Sequence, residues 1–258
     1  MNSTLRRIAG IAGSLALTAI LALPVAAQDQ AMVRVVHASP DAPNVDVWLD
    51  GETVLTDVPF TAVSDYLAVP AGDHNVQVTA TGATDPVIDA DLTLEAGTSY
   101  TVAAIGLVAD ISATVLTDDR VAADGQSKLR VFHASPGAPA SVDVAVTDGP
   151  VLVEGLEYPE ATDYLAVDAG TYALEIRAAG QADAALSLEA TLAAGENYTA
   201  IAMDDGAGGV QVIIATEAME MPDTAVPTPA PPLAVFGLAL IGLGLIVPLV
   251  RATRAVSA

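Results

Sequence analysis

Val33-Arg34-Val35-Val36-His37-Ala38-Ser39-Pro40 returns further along the chain as Leu129-Arg130-Val131-Phe132-His133-Ala134-Ser135-Pro136. Each copy runs through a Pro-containing turn into a Val-Asp-Val triplet, at Val45-Asp46-Val47 and Val142-Asp143-Val144. A motif that recurs after about a hundred residues, with similar sequence trailing both copies, describes two related units rather than one large domain. The equivalence extends beyond the motif. Ser64-Asp65-Tyr66-Leu67-Ala68-Val69 matches Thr162-Asp163-Tyr164-Leu165-Ala166-Val167, and Leu94-Glu95-Ala96-Gly97-Thr98-Ser99-Tyr100-Thr101 matches Leu192-Ala193-Ala194-Gly195-Glu196-Asn197-Tyr198-Thr199.

Both units consist of short alternating apolar runs separated by turn chemistry, the pattern of an all-β sandwich. The spacing predicts strands near 32–38, 45–50, 53–58, 64–69, 74–80, 87–94, 99–106 and 111–117. The second unit repeats them near 128–134, 142–147, 151–157, 162–167, 171–178, 185–193, 197–203 and 209–216. Asp50-Gly51, Pro70-Ala71-Gly72-Asp73, Thr81-Gly82 and Glu95-Ala96-Gly97 punctuate the first set, with glycine supplying the positive φ of tight turns. The expected fold is two tandem Ig-like or fibronectin-like antiparallel sandwiches. They span 28–117 and 128–217, joined by a polar linker at 118–127. A Leu, a turn glycine and then Tyr entering a strand resembles a tyrosine corner, so Tyr100 and Tyr198 are expected to pack their rings and bond upstream backbone through their hydroxyls.

Residues 33–49 carry a family resemblance: the His-Ala-Ser-Pro core, Asp41-Ala42-Pro43 and Val45-Asp46-Val47-Trp48. With Asp65-Tyr66-Leu67 and Pro70-Ala71-Gly72 they look like DUF4397, a bacterial exported domain of unknown function. The resemblance covers about 33–117 and 129–216, as two tandem copies. The second copy departs from it with Gly137 in place of Asp41 and an extra residue before Val142. The resemblance implies an exported β-sandwich module and no activity.

The two ends have a different composition. Residues 1–27 read as a signal peptide, with Arg6-Arg7 as the basic start, an apolar stretch from Ile8 to Leu23 and a Val25-Ala26-Ala27 cleavage site. Residues 218–232 form a Pro-rich stalk. Leu233 to Val250 is an uncharged apolar run, at the short end for a spanning helix, and 251–258 is a basic tail that the positive-inside rule places in the cytoplasm. Met221-Pro222-Asp223-Thr224-Ala225 resembles a sortase pentapeptide with Met for the usual Leu and Ala for the usual Gly, so covalent sorting is the alternative to a retained anchor. The reading is an acidic bacterial surface protein, single-pass, with its β units outside the cell membrane.

The chain has no cysteine, which excludes thiol catalysis, zinc-thiolate sites and disulfides. Between Gln28 and Thr224 five bases face all 32 acids, a balance that argues against nucleic acid as a partner. His37 and Ser39, with Asp41 or Asp46, contain the letters of a nucleophilic triad, but no Gly-x-Ser-x-Gly elbow is present, and His133, Ser135 and Asp143 repeat the set. One structural device used twice is the simpler reading. His is expected to act as a strut from the first strand to a loop, with Ser and Asp satisfying turn backbone. No catalytic, cofactor or metal residue is assigned. A surface hydrolase using His37 and Ser39 is the competing reading. A third is calcium held by Asp89/Asp91, Asp118-Asp119 or Asp204-Asp205-Gly206, although no known calcium-loop spacing is matched. Trp48, replaced by Ala145 in the second copy, is either a ligand-stacking residue or a core or interdomain contact. The leading function is binding, adhesion or envelope structure through an unidentified surface protein or glycan partner.

Overall fold

The structure is a computed structural model, and it describes residues 29–121 and 125–217. The signal peptide, stalk, apolar run, sorting motif and basic tail expected above lie outside these residues. Among the described residues no helix is long and apolar enough to cross a membrane.

The chain is all-β, in two repeated modules. The first holds β1 (Gln30–His37), β2 (Val45–Leu49), β3 (Glu52–Val58), β4 (Leu67–Pro70), β5 (Gly72–Ala80), β6 (Pro86–Leu94), β7 (Ser99–Ile105) and β8 (Ser112–Asp118). The second repeats them as β9 (Gln126–His133), β10 (Ser141–Val146), β11 (Val151–Glu157), β12 (Leu165–Asp168), β13 (Gly170–Ala178), β14 (Ala184–Leu192), β15 (Asn197–Asp204) and β16 (Val210–Thr216). The hairpin between β2 and β3 turns at Asp50 and Gly51, with φ of 52° and 82°, the left-handed pair that Asp-Gly supplies at least cost. The stretch 64–66 is not strand. Ser64 instead exchanges bonds with Val35, its backbone N donating to the Val35 carbonyl and its Oγ accepting from the Val35 N, both at 2.9 Å.

Each module splits four and four. The order is β4-β1-β7-β8 against β3-β2-β5-β6, and β12-β9-β15-β16 against β11-β10-β13-β14. In both, the opening motif strand runs parallel to the seventh strand, β1 beside β7 and β9 beside β15. The even split and this order differ from the seven-stranded ABED/CFG arrangement of an immunoglobulin constant domain.

The two modules are packed together. Val36, Ala38, Ala103 and Ile105 of the first form one apolar cluster with Phe132, Ala134, Ile201 and Met203 of the second. These residues alternate with Val35, Val102, Val131 and Ala202, which face the interior of their own sandwich. Sheets β4-β1-β7-β8 and β12-β9-β15-β16 therefore lie back to back, and β7 and β15 are buried along their whole length. Among the described residues every strand pairing and every apolar cluster falls within residues 30–216, so residues 28–219 hold the whole of the described core and are the segment expected to fold on its own.

Candidate functional site

The duplicated motif places its histidines at the ends of β1 and β9, both fully buried. His37 Nε2 donates to the Pro43 carbonyl at 3.1 Å, and His37 Nδ1 accepts from the Ser39 backbone N at 3.4 Å. His133 Nε2 donates in the same way to the Pro139 carbonyl at 2.9 Å. An aromatic edge packs on each ring, Phe60 on His37 and Tyr158 on His133. Each imidazole thus ties the end of its strand to the loop that follows. Burial lowers the His37 pKa, and the Pro43 bond offsets part of that shift.

Ser39 and Ser135 are also fully buried, but they differ. Ser135 Oγ accepts from the Ala138 N at 3.1 Å, whereas Ser39 Oγ has no hydrogen-bond partner. Neither serine hydroxyl bonds a histidine nitrogen, which is the contact that would activate a nucleophile. Asp46 accepts from the Asp57 N at 2.8 Å, the Gly82 N at 3.1 Å and Thr81 Oγ1 at 3.2 Å, and these bonds hold its carboxyl below the usual range. Asp143 accepts from the Gly180 N at 2.8 Å and the Gly155 N at 2.7 Å, with the same lowering. Tyr100 and Tyr198 pack their rings inside, and their hydroxyls accept from the Glu95 N and Ala193 N, each at 3.1 Å.

The strongest polar feature is one that neither the His-Ser-Asp triplets nor the Tyr pair signalled. Arg34 and Arg130, the motif arginines, are buried between the modules together with Asp118 and Glu217. The bonding crosses from one module to the other. Arg34 reaches Glu217 Oε1 at 3.0 Å and the Thr216 carbonyl at 3.3 Å, while Arg130 reaches Asp118 Oδ1 at 2.5 Å and the Thr117 carbonyl at 2.9 Å. Both guanidiniums also donate to a threonine of their own sheet, Thr101 or Thr199. Each carboxylate is bonded within its own module, Asp118 by Thr101 Oγ1 and the Tyr66 hydroxyl, both at 2.7 Å, and Glu217 by Thr199 Oγ1 and the Tyr164 hydroxyl. Tyr66 lies under Arg34 and Arg120, and Tyr164 lies under Arg130. Burial, reinforced by the neighbouring carboxylates, pushes both tyrosine hydroxyls well above the usual phenol range. Two cations and two anions thus face one another at the centre, with Arg120 at its margin bonded to the Glu217 carbonyl.

Asp118 and Asp119, read from sequence as the start of a linker, are tied down. Asp119 pairs with Lys128 Nζ at 2.6 Å, and its carbonyl accepts from Asn197 Nδ2 at 2.5 Å. Among the described residues, no group of three or more His, Asp or Glu is placed to hold a metal ion. Trp48 is half-buried and donates from Nε1 to Thr79 Oγ1 at 3.1 Å.

The family model for the domain of unknown function DUF4397 matches residues 31–145 and again 140–226. The chain therefore belongs to that family, with two tandem copies. No curated protein matches the chain. Among solved structures it is similar to the Bacillus anthracis TIE protein, at 10% identity and a TM-score of 0.23, over 68% of this chain and 34% of that one, so it spans about a third of that protein. It is also similar to a family 26 carbohydrate-binding module of Eubacterium rectale Amy13K solved with maltoheptaose, at 6% identity and a TM-score of 0.26, over 74% of this chain and 98% of that one. A third is the fimbrial anchor protein Mfa2 of Porphyromonas gingivalis, at 10% identity and a TM-score of 0.20, over 74% and 98%. These overlaps are too loose to transfer a role.

Proposed function

We propose that this is an exported, membrane-anchored bacterial surface protein whose fused modules serve binding, adhesion or envelope structure without catalysis. One observation carries the reading: in both copies the motif's His, Asp and Arg side chains are spent on the fold. The histidines latch loops, the aspartates hold turns and the arginines clamp one module to the other. A catalytic group has to reach a substrate, and these are already bonded and, apart from the half-buried Asp143, buried. The location rests on the composition of residues 1–27 and 218–258.

Intact cells labelled with an antibody to residues 29–217 test the location. Labelling only after permeabilisation would overturn it. Purified 28–219 applied to cells, glycan arrays and envelope preparations tests the adhesive role, which fails if it binds none of them. Replacing His37 and His133 with Ala tests the absence of catalysis. A lowered melting temperature is expected, whereas an unchanged melting temperature with loss of a hydrolytic turnover would restore the enzyme reading.

A further inference from the structure

The two modules share one topology but not one interior. Between the sheets of the first is an apolar cavity of about 290 Å³, whereas the matching space in the second is about 20 Å³. Strand register locates where the two interiors differ. Val33 and Leu129 occupy equivalent places opposite Tyr100 and Tyr198, as do Val78 and Ile176 opposite Val47 and Val144. Val76 corresponds in the same way to Leu174, and Ala113 to Val212. At each of these places the first module carries the smaller side chain, whereas at Leu92 against Ala190 and Val102 against Ala200 it carries the larger. Protein interiors are otherwise filled to crystal density, and the second module shows that this topology can be filled. The cavity is therefore not a requirement of the shared topology.

The cavity has a way in and a chemical character. On one side of the sandwich β6 lies against β8, while on the other the cavity runs out to the edge strands β3 and β4, where Val54, Ala68 and Pro70 are exposed. Every residue lining it is apolar apart from the indole N–H of Trp48, which is already bonded to Thr79. An apolar cavity of about 150 Å³ stays dry and takes up benzene, so one of this size accommodates a chain of roughly a dozen carbons. From Asp29 to Asp118 the module carries 14 acids against one Lys or Arg, Arg34, which is buried at the other module, and two histidines. His37 is buried and bonded to Pro43, and His74, beside Pro70 at the mouth, is already paired with Asp50, so the mouth is net negative and disfavours a carboxylate or phosphate headgroup.

We propose that the interior of the first module is a binding site for the hydrocarbon chain of an uncharged, single-chain amphiphile, entering between β3 and β4. The proposal does not depend on where the protein is located. Trp48 is the only tryptophan in the chain and lines the cavity, so it reports occupancy directly. Residues 28–219, purified without detergent, would be titrated with 11-bromo-1-undecanol, whose bromine quenches an indole it touches. Saturable quenching at one molecule per chain is expected, displaced by 1-decanol at least tenfold more effectively than by decanoate. The variant carrying Val33→Leu, Val76→Leu, Val78→Ile and Ala113→Val gives the first module the larger residues of the second at those four places. It should bind at least tenfold more weakly while melting at or above the wild-type temperature. If it does not melt cooperatively, Ala113→Val alone decides the point in the same titration. Quenching that never saturates, or that is unchanged in a folded filled variant, would overturn the proposal. Equal displacement by decanoate would overturn the uncharged ligand class. A dimer in sedimentation whose formation abolishes quenching would show that a second copy covers the mouth, and would overturn it as well.

Discussion

Replacing Arg130 with Met tests the centre between the modules. Arg130 is 3% exposed and bonds Asp118 at 2.5 Å, the Thr117 carbonyl at 2.9 Å and Thr199 Oγ1. Methionine fills much of the volume but leaves two carboxylates facing one guanidinium in a buried site. Removing one partner of a buried ion pair costs about 3–5 kcal/mol, because the remaining charge is stranded away from water. For a unit of this size each kcal/mol lowers the melting temperature by about 2–4 °C, so a fall of roughly 6–20 °C is expected at pH 7.

The assay exploits the position of Trp48. It lies in the first module and Arg130 in the second, yet the shared apolar cluster and the crossed pairs make the two modules one cooperative unit. Trp48 fluorescence and far-UV circular dichroism of residues 28–219 should therefore melt together, and Arg130→Met should lower both midpoints equally. A Trp48 midpoint that stays put while the dichroism midpoint falls would show two independent domains and refute the reasoning. A cost under about 1 kcal/mol would refute it too, since it would put the centre in the range of solvent-exposed pairs. Arg34→Met should behave alike, and adding Glu217→Met to it should recover part of the loss, because the stranded charge goes with it.

Three further outcomes follow. His37→Ala removes a packed ring and leaves the Pro43 carbonyl unpaired, at a cost of about 2–4 kcal/mol by chemical denaturation. Because burial depresses the His37 pKa, the folded state favours the neutral ring. That contribution is complete above its unfolded value of 6.5 and is lost as pH falls through the lower folded value, so a wild-type stability profile should decline below about pH 6.5 more steeply than that of His37→Ala. Asp46→Ala and Asp143→Ala should lower the melting temperature at neutral pH. Both carboxyls are held below 3.8 when folded, so their contribution is present above that value, and the gap to wild type should close in melts taken well below it. Tyr100→Phe and Tyr198→Phe keep the ring and delete one accepted backbone bond, so each should cost about 0.5–1.5 kcal/mol in urea titrations.

Much of the strand layout was legible in the sequence because alternation and turn chemistry are local. The Asp50-Gly51 turn, the run into Tyr100 and its copy at Tyr198 can each be read within a few residues. The centre between the modules was not legible, for a specific reason. A half-buried strand carries polar residues on its outer face, and Arg34 looks like such a residue. The contrary signal lay beside it: Val36 and Phe132 share that outer face, and Ile201 and Met203 repeat it on the seventh strand of the second module. An arginine on an apolar outer face needs a buried acid, and each acid comes from the end of the other module's last strand, 183 residues from Arg34 and 12 from Arg130. The cavity was hidden for a related reason. Val against Leu, or Ala against Val, means nothing until the register shows that the two positions are equivalent.

Repetition invites the assumption of two equivalent binding valences, and the packing argues against it. The motif faces of both modules are consumed by each other, which leaves the outer sheets, the edges and the loops as available surface. The outer sheets are not copies. On the first, Asn75 and Gln77 are laced to Asp89 and Asp91, with bonds of 2.8 to 3.1 Å. At the equivalent places the second has Ala173, Glu175, Ser187 and Glu189, with Glu175 turned to Arg177 at 2.5 Å. The interiors differ as well, one open and one filled. A partner fitted to one module has no matching surface on the other, so the pair gains no avidity from being two. What duplication supplies instead is a second module for the first to be built against, since the charge of Arg34 is met at closest range by Glu217 of the other module and that of Arg130 by Asp118.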